Sequence, residues 1–256
     1  MYDPFEILHR ISAHAWPIVA LCGLALAFNY AWYIEEIRLA RRDRCYTMPP
    51  AVTMVYLAHD GSYLLLFHDW WGRYAHWFTQ LFWVALVFTF AGEVVIFAQT
   101  LRYGRAELAP RLTQRAFVTL MFVGLVITAG AWAAVKVALG DDLYLVTFMA
   151  LIFWAAPFGC ALMLRRASGR GTSTWMWASA TLIGVPYGLA TVLWFGPAFR
   201  AIPWIALWLG SAAWGGYNTY LAYTLSRGRR GPGAGSIVGP LGHRQDGDQV
   251  RDVAPA

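Results

Sequence analysis

Charge is what this chain has least of. Asp, Glu, Lys and Arg make up 13% of its 256 residues, about half the share found in an ordinary soluble domain. Lysine is nearly missing: Lys136 stands alone beside 19 arginines. Those arginines gather in short loops between apolar stretches, so the net charge of +6 reads as topology and excludes a phosphate-tracking nucleic-acid face. The three cysteines, Cys22, Cys45 and Cys160, show no CxxC pairing or metal-ligand spacing; Cys22 and Cys160 fall in apolar runs as small core residues. No two Asp-rich motifs are present to hold a magnesium diphosphate, since Asp141-Asp142 stand alone. The last apolar run has no lysine for a retinal Schiff base. His14 and His76 both lie near an outer edge, which leaves no histidine pair at matched depth for haem and no metal site. The start, MYDPFEILHRISAH, lacks the basic and then apolar order of a cleavable signal. Phe5, Leu8 and Ile11 recur there at helical spacing and predict a short interfacial helix.

What is present is apolar. Hydrophobic residues are 59% of the chain and the mean hydropathy is +0.46, more than one soluble core can bury. Seven runs approach the length of roughly 20 residues that a membrane helix needs, at 15–34, 50–67, 77–99, 114–138, 143–164, 174–195 and 200–224. The expected fold is therefore all-α, a polytopic seven-helix membrane bundle, with residues 1–226 as its one domain. Pro49-Pro50 suits the first turn of the short second run, and Pro186 between Gly184 and Gly188 predicts a kink in the sixth. Arg38, Arg41, Arg42 and Arg44 follow run 1; Arg102, Arg105 and Arg111 follow run 3; Arg165, Arg166 and Arg170 follow run 5. With Arg227, Arg229 and Arg230 after run 7, the positive-inside rule places the N-terminus outside and the C-terminus in the cytoplasm. The arginine bias suits a bacterial cytoplasmic membrane. Residues 227–256, rich in Gly, Pro, Asp and Arg, read as a disordered tail. Trp70, Trp71 and Trp77 fit an interfacial belt.

Polar groups inside the runs carry the functional information, because a charge at mid-membrane costs roughly 2.5–3.5 kcal/mol or more. Asn29, Tyr56, His59, Asp60, Gln80, Glu93 and Asn218 are such groups. Asn29, Glu93 and Asn218 each precede the inner end of their run by an expected depth of about 8–9 Å, and Asp60 lies about 15 Å in. Four helices thus bring two carboxyls and two amides into one slab. Aromatic residues surround it, among them Tyr30, Trp32, Tyr33, Tyr63, Phe90, Trp214, Tyr217 and Tyr220. Asn29 and Asn218 also fit plain interhelical glue. Asp60 and Glu93 have no basic residue within a run beside them, and a desolvated carboxyl without a cation favours its neutral form, which makes it a proton donor. His59 follows a direction about 100° from Asp60 on a helix and fits a satisfied interior histidine equally well.

The stretch NYAWYIEEIRLARRDRCYTMPPAVTMVYLAHD, Asn29 through Asp60, resembles the small transmembrane terpene cyclases of meroterpenoid biosynthesis. The loop Asp43-Arg44-Cys45-Tyr46-Thr47-Met48-Pro49 is similar to the family's D-K-x-Y-G-M-P, and His59-Asp60 occupies its Trp-Glu position. Glu93 followed by Thr100-Leu101-Arg102-Tyr103-Gly104 resembles the end of its third span, and Arg170-Gly171-Thr172-Ser173 its R-G-x-S loop. The family's acid in the last span falls on Asn218, in WGGYNTY, and Ala178 and Ser179 stand where an arginine is often found. The resemblance implies proton-initiated cyclisation of a lipophilic prenylated substrate by an isomerase or lyase type of enzyme that uses no metal or organic cofactor. Asp60 would be the initiating acid and Glu93 the second acid or base; Asn29, Tyr30, Tyr56, His59, Tyr63, Trp214, Tyr217 and Asn218 would line the substrate site. Membrane lipids are the other expected partner. A small proton-coupled transporter, with Asp60 and Glu93 as relay groups, and a non-catalytic scaffold are the rival readings.

Overall fold

The computed structural model describes residues 2–228, all helix and turn with no strand among them; the expected tail lies almost wholly outside the described residues. The helices are α1 (Pro4–Ala13), α2 (Ala15–Asp43), α3 (Pro50–Leu64), α4 (Trp77–Tyr103), the single turn α5 (Arg105–Leu108), α6 (Gln114–Leu139), α7 (Leu145–Arg166), α8 (Thr174–Ala190) and α9 (Ile202–Gly228). Five stretches are long and apolar enough to cross a membrane: α2, α4, α6, α7 and α8 continued to Phe195. The chain is an all-helical membrane protein. α6 shows why: only Phe117 and Met121 are buried on it, while Val126, Ile127 and Val137 are exposed. A helix that is apolar on every side and open to its surroundings needs hydrocarbon as solvent.

Two ends differ from the expected runs. α2 continues nine residues past Ile34 to Asp43, so Glu35, Glu36 and Arg38 are helical. α3 has only 15 residues, about 22 Å at 1.5 Å per residue, against about 30 Å of hydrocarbon. The chain completes that level with a π-helical turn over Asp69–Arg73. Pro186 sits inside α8, and the irregularity comes a turn later, as the π-helical turn Thr191–Phe195.

α8 is central, packed on α2 and α9, with α7 behind α9; α3 lies between α4 and α6. Close approach needs glycine at Gly159 of α7, where an added methyl would fall inside the Trp177 ring of α8. Gly159→Ala is expected to cost about 1–3 kcal/mol by overpacking, read as a lower melting temperature in detergent.

The loops converge at two ends. At the arginine-rich end, Gly171 N donates to Asp43 Oδ2 at 2.7 Å, and Arg166 holds Glu107 through Nε and Nη2 at 3.0 and 2.9 Å. Tyr46 Oη also donates to Glu107. Burial works against the Glu107 charge, but the Arg166 hydrogen bonds outweigh it and hold the carboxyl below its ordinary range. Stability from a lowered carboxyl is full above the unfolded value, about 4.3, and is lost as pH falls through the folded value. The melting-temperature gap between wild type and Arg166→Gln is therefore expected to narrow on acidification from about pH 7 to about pH 3. A constant gap would contradict the pairing.

At the other end α1 docks on the bundle. Ile7, Leu8 and Ile11 are buried, while Phe5 is exposed, so its apolar face meets protein where an interfacial helix would meet lipid. Trp70 is likewise fully buried and donates Nε1 to the Asp142 carbonyl, leaving Trp71 as the more exposed of the pair.

Candidate functional site

Asp60 and Glu93 each stand ten residues from the arginine-rich end of their helix, Asp60 after Pro50 and Glu93 before Tyr103, a depth of about 15 Å for both. α3 and α4 pack side by side. Thr89 Oγ1 on α4 donates to Asp60 Oδ2 at 3.0 Å, and Glu93 is one turn further along the same face. The two carboxyls are therefore neighbours, and both line a cavity of about 160 Å³ in the middle of the bundle.

Asp60 is held from three sides. Besides Thr89, Tyr144 Oη donates to its Oδ1 at 2.5 Å, and His59 Nδ1 lies 2.7 Å from the same oxygen. The helical offset of about 100° does not separate His59 from Asp60, because the imidazole turns back along α3. His59 is fully buried, packed against Tyr63, Trp132 and Tyr144 with ring centroids 5.1, 4.7 and 4.4 Å away. Glu93 has lighter support: Tyr33 Oη donates to Oε1 at 2.7 Å, its carboxyl shares a hydrogen bond with that of Asp60, and Oε2 accepts from no hydroxyl or N–H group among the described residues. The arginine ion pairs of the described residues lie elsewhere, at the two ends of the bundle. Neither carboxyl has an arginine or lysine beside it, and the basic group in contact with Asp60 is the His59 imidazole.

No family model, curated protein or solved structure matches the chain. Its chemistry must be read from the pocket.

Of the residues singled out by sequence, Asn29, Tyr56, Asp60 and Glu93 line the cavity. Tyr30 donates to the Ala85 carbonyl, and Tyr63 to the Asp141 carbonyl, so both hold neighbouring helices. His59 reaches the site through Asp60. Trp214 and Tyr217 are on the outer face of α9, 38% and 50% exposed. Asn218 is fully buried and gives Nδ2 to the Ala156 carbonyl at 2.8 Å, an interhelical tie outside the cavity wall. Tyr144 and Thr89, which grip Asp60, have no sequence signal of the kind used above. The remaining wall is apolar and aromatic, with Phe82, Phe148, Trp177 and Tyr187 among its members.

Tyr144 depends on a local backbone device. It takes the left-handed conformation at φ 67° just before α7, which costs a non-glycine residue about 1 kcal/mol or more. Asp141 compensates by accepting the amides of Leu145, Val146 and Thr147 at 3.0, 3.0 and 2.7 Å, together with the hydroxyls of Thr147 and Tyr2. Those amides are the unsatisfied donors of the first turn of a helix, where negative charge is also favoured. Asp141 thereby starts α7 and aims Tyr144 at Asp60.

The cavity reaches the outside of the bundle. Val19 of α2 and Leu81 of α4 belong to its wall and are 38% and 56% exposed, so its mouth opens on the apolar side surface between those helices. Among the described residues no three His, Cys, Asp or Glu side chains converge as a metal site requires. The arrangement sets two carboxyls on the wall of an apolar, aromatic space that opens to the side.

Proposed function

We propose that the chain is a membrane-embedded cyclase that protonates a prenyl chain, as an olefin or a terminal epoxide, carried on a non-terpenoid head group. The observation that carries this reading is Asp60: a buried carboxyl with no arginine or lysine beside it, backed by the His59 imidazole, at the wall of an apolar pocket, with hydroxyl donors already aimed at it. In its neutral form Asp60 gives its proton to the substrate; the Asp60 O–H bond breaks and a C–H bond, or the O–H bond of the opened epoxide, forms. The hydroxyls of Tyr144 and Thr89 then stabilise the carboxylate left behind, as groups preorganised toward developing charge do. The carbocation runs along the chain, held by the faces of Tyr56, Phe82, Phe148 and Trp177, each contact worth about 0.5–2 kcal/mol. Loss of a proton to Glu93 ends the sequence, so the net change is an isomerisation. Exclusion of water protects the cation from quenching.

The volume and the mouth fit a lipophilic guest. An apolar cavity of about 150 Å³ accepts benzene, so this one takes the reacting end of a prenyl chain while the remainder extends between α2 and α4 toward the bilayer. In this reading α3 and α9 also cross, giving seven spans with the arginine-rich end in the cytoplasm. The resemblance of Asn29 through Asp60 to transmembrane terpene cyclases points the same way. Membranes containing the protein are expected to convert a farnesylated phenol, or its terminal epoxide, into a product of unchanged mass with fewer double bonds. If neither is converted, the reading fails.

A further inference from the structure

A second, smaller cavity lies between the pocket and the arginine-rich end. Its volume is about 10 Å³, and Trp32, Glu36, Thr53, Tyr56 and Glu93 line it. That is close to the minimum for one water molecule, which also needs 2–4 polar partners. Four are present. Among the described residues Trp32 Nε1, Glu36 Oε2 and Thr53 Oγ1 have no hydrogen-bond partner, and Glu93 Oε2 accepts from no hydroxyl or N–H group. All four residues are more than nine-tenths buried, Glu36 completely. Nearly every buried polar group is satisfied, by protein or by ordered water, and four exceptions around one space of the right size ask for a shared partner.

Glu36 has a place in the chain of groups as well. It is one turn beyond Tyr33 on α2, and Tyr33 is the residue that bonds Glu93. Its other oxygen, Oε1, accepts from Thr47 Oγ1 at 2.8 Å, in the loop that closes the arginine-rich end. The titratable groups facing it from the packed elements are Tyr33, Tyr56 and Glu93; none is basic.

We propose that this cavity is a water site joining Glu36 to Glu93, and that Glu36 is the group through which Glu93 exchanges protons with the arginine-rich end of the bundle. One proton passes from Glu93 Oε2 to the water as another leaves the water for Glu36, and the reverse transfer reloads Glu93, so the exchange conserves protons. Its use, returning the Asp60–Glu93 pair to one proton whenever that proton is lost or a second is gained, rests on the cyclase reading; the water site and the route do not. Glu36 is a positioning and proton-loading residue, because it touches no substrate.

The test follows exchange directly. Protein in lipid nanodiscs, acidified until Glu93 carries a proton, is transferred from H₂O to D₂O of matched acidity, and infrared spectroscopy follows the carboxyl carbonyl band that Glu93→Gln removes. Glu36→Gln is expected to slow the deuterium shift of that band by roughly tenfold or more, a proton-relay loss at the low end of acid–base effects. Thr53→Val, which keeps the shape and removes one water partner, is expected to slow it as well, and Glu36→Asp to restore it in part. A purely structural Glu36 would leave the shift rate unchanged in both folded variants, and that result overturns the proposal. So does a wild-type protein in which no exchanging Glu93 band is found. Slowed exchange in a protein that cyclises nothing would sustain the route and remove the cyclase reading.

Discussion

Asp60→Asn is expected to lower cyclising turnover by about 10²–10⁴-fold, the span that a positioned acid contributes, while the protein still folds. Asparagine has nearly the volume of aspartate; its carbonyl oxygen can still accept from Tyr144 and face His59, and its NH2 group, where Oδ2 stood, can donate to the Thr89 hydroxyl, so the packing around it persists. What it lacks is the transferable proton. Comparing kcat and KM for the prenylated substrate separates these effects: kcat falls and KM stays near its wild-type value, because the apolar wall that binds the chain is untouched. Glu93→Gln is expected to fall less, since Glu93 acts at the end of the sequence. Full cyclisation by both variants would refute the assignment.

The second large effect is on stability and lies away from the acid. Asp141 is 1% exposed and accepts three backbone amides and two hydroxyls. Asp141→Ala strands the amides of Leu145, Val146 and Thr147 beside an apolar core, each at a cost of about 1–3 kcal/mol where water cannot reach it. A total of about 3–4 kcal/mol is expected, since part of the turn relaxes toward solvent. Asp141→Asn, which keeps an acceptor, should lose less. Thermal unfolding in detergent measures both. Because the same turn aims Tyr144 at Asp60, Asp141→Asn should also depress kcat in protein that remains folded.

These two residues mark the boundary of what the sequence reveals. Asp60 and Glu93 are visible because a carboxyl in an apolar run is expensive and must be used or satisfied; counting residues puts them in one slab, and their equal depth appears only once α4 is seen to run on to Tyr103. Asn29 and Tyr56 come with them by spacing alone. Tyr144 is invisible to the same reasoning. Its position comes from a left-handed residue that is not glycine, supported by an aspartate three places earlier, and neither fact has a periodicity. The aromatic residues of α9 fail for a different reason. Where a helix is apolar on all sides, the residues themselves do not say which face meets lipid, so Trp214 and Tyr217 turn out to point away from the cavity. Glu36 falls beyond the expected end of its run, where the helix in fact continues, and so it is easily mistaken for a loop charge.

The two ends of the bundle answer differently to electrolyte. At the arginine-rich end Arg166–Glu107 and the contacts of Arg170 and Gly171 with residues 43 and 44 tie the loops together, and further guanidinium–carboxylate pairs beside them are open to water; the Debye length is about 10 Å at 0.1 M and about 3 Å at 1 M. The opposite end hangs on Asp141, where the charge is enclosed and its partners are dipoles, and screening hardly enters. Apart from the Arg10–Glu6 pair within α1, rising ionic strength therefore loosens this molecule from the arginine-rich side. Hydrogen exchange should accelerate first at residues 43–49 and 167–173 while the turn at 141–147 stays protected, giving the bundle a polarity of breathing that its nearly uniform hydrophobicity conceals.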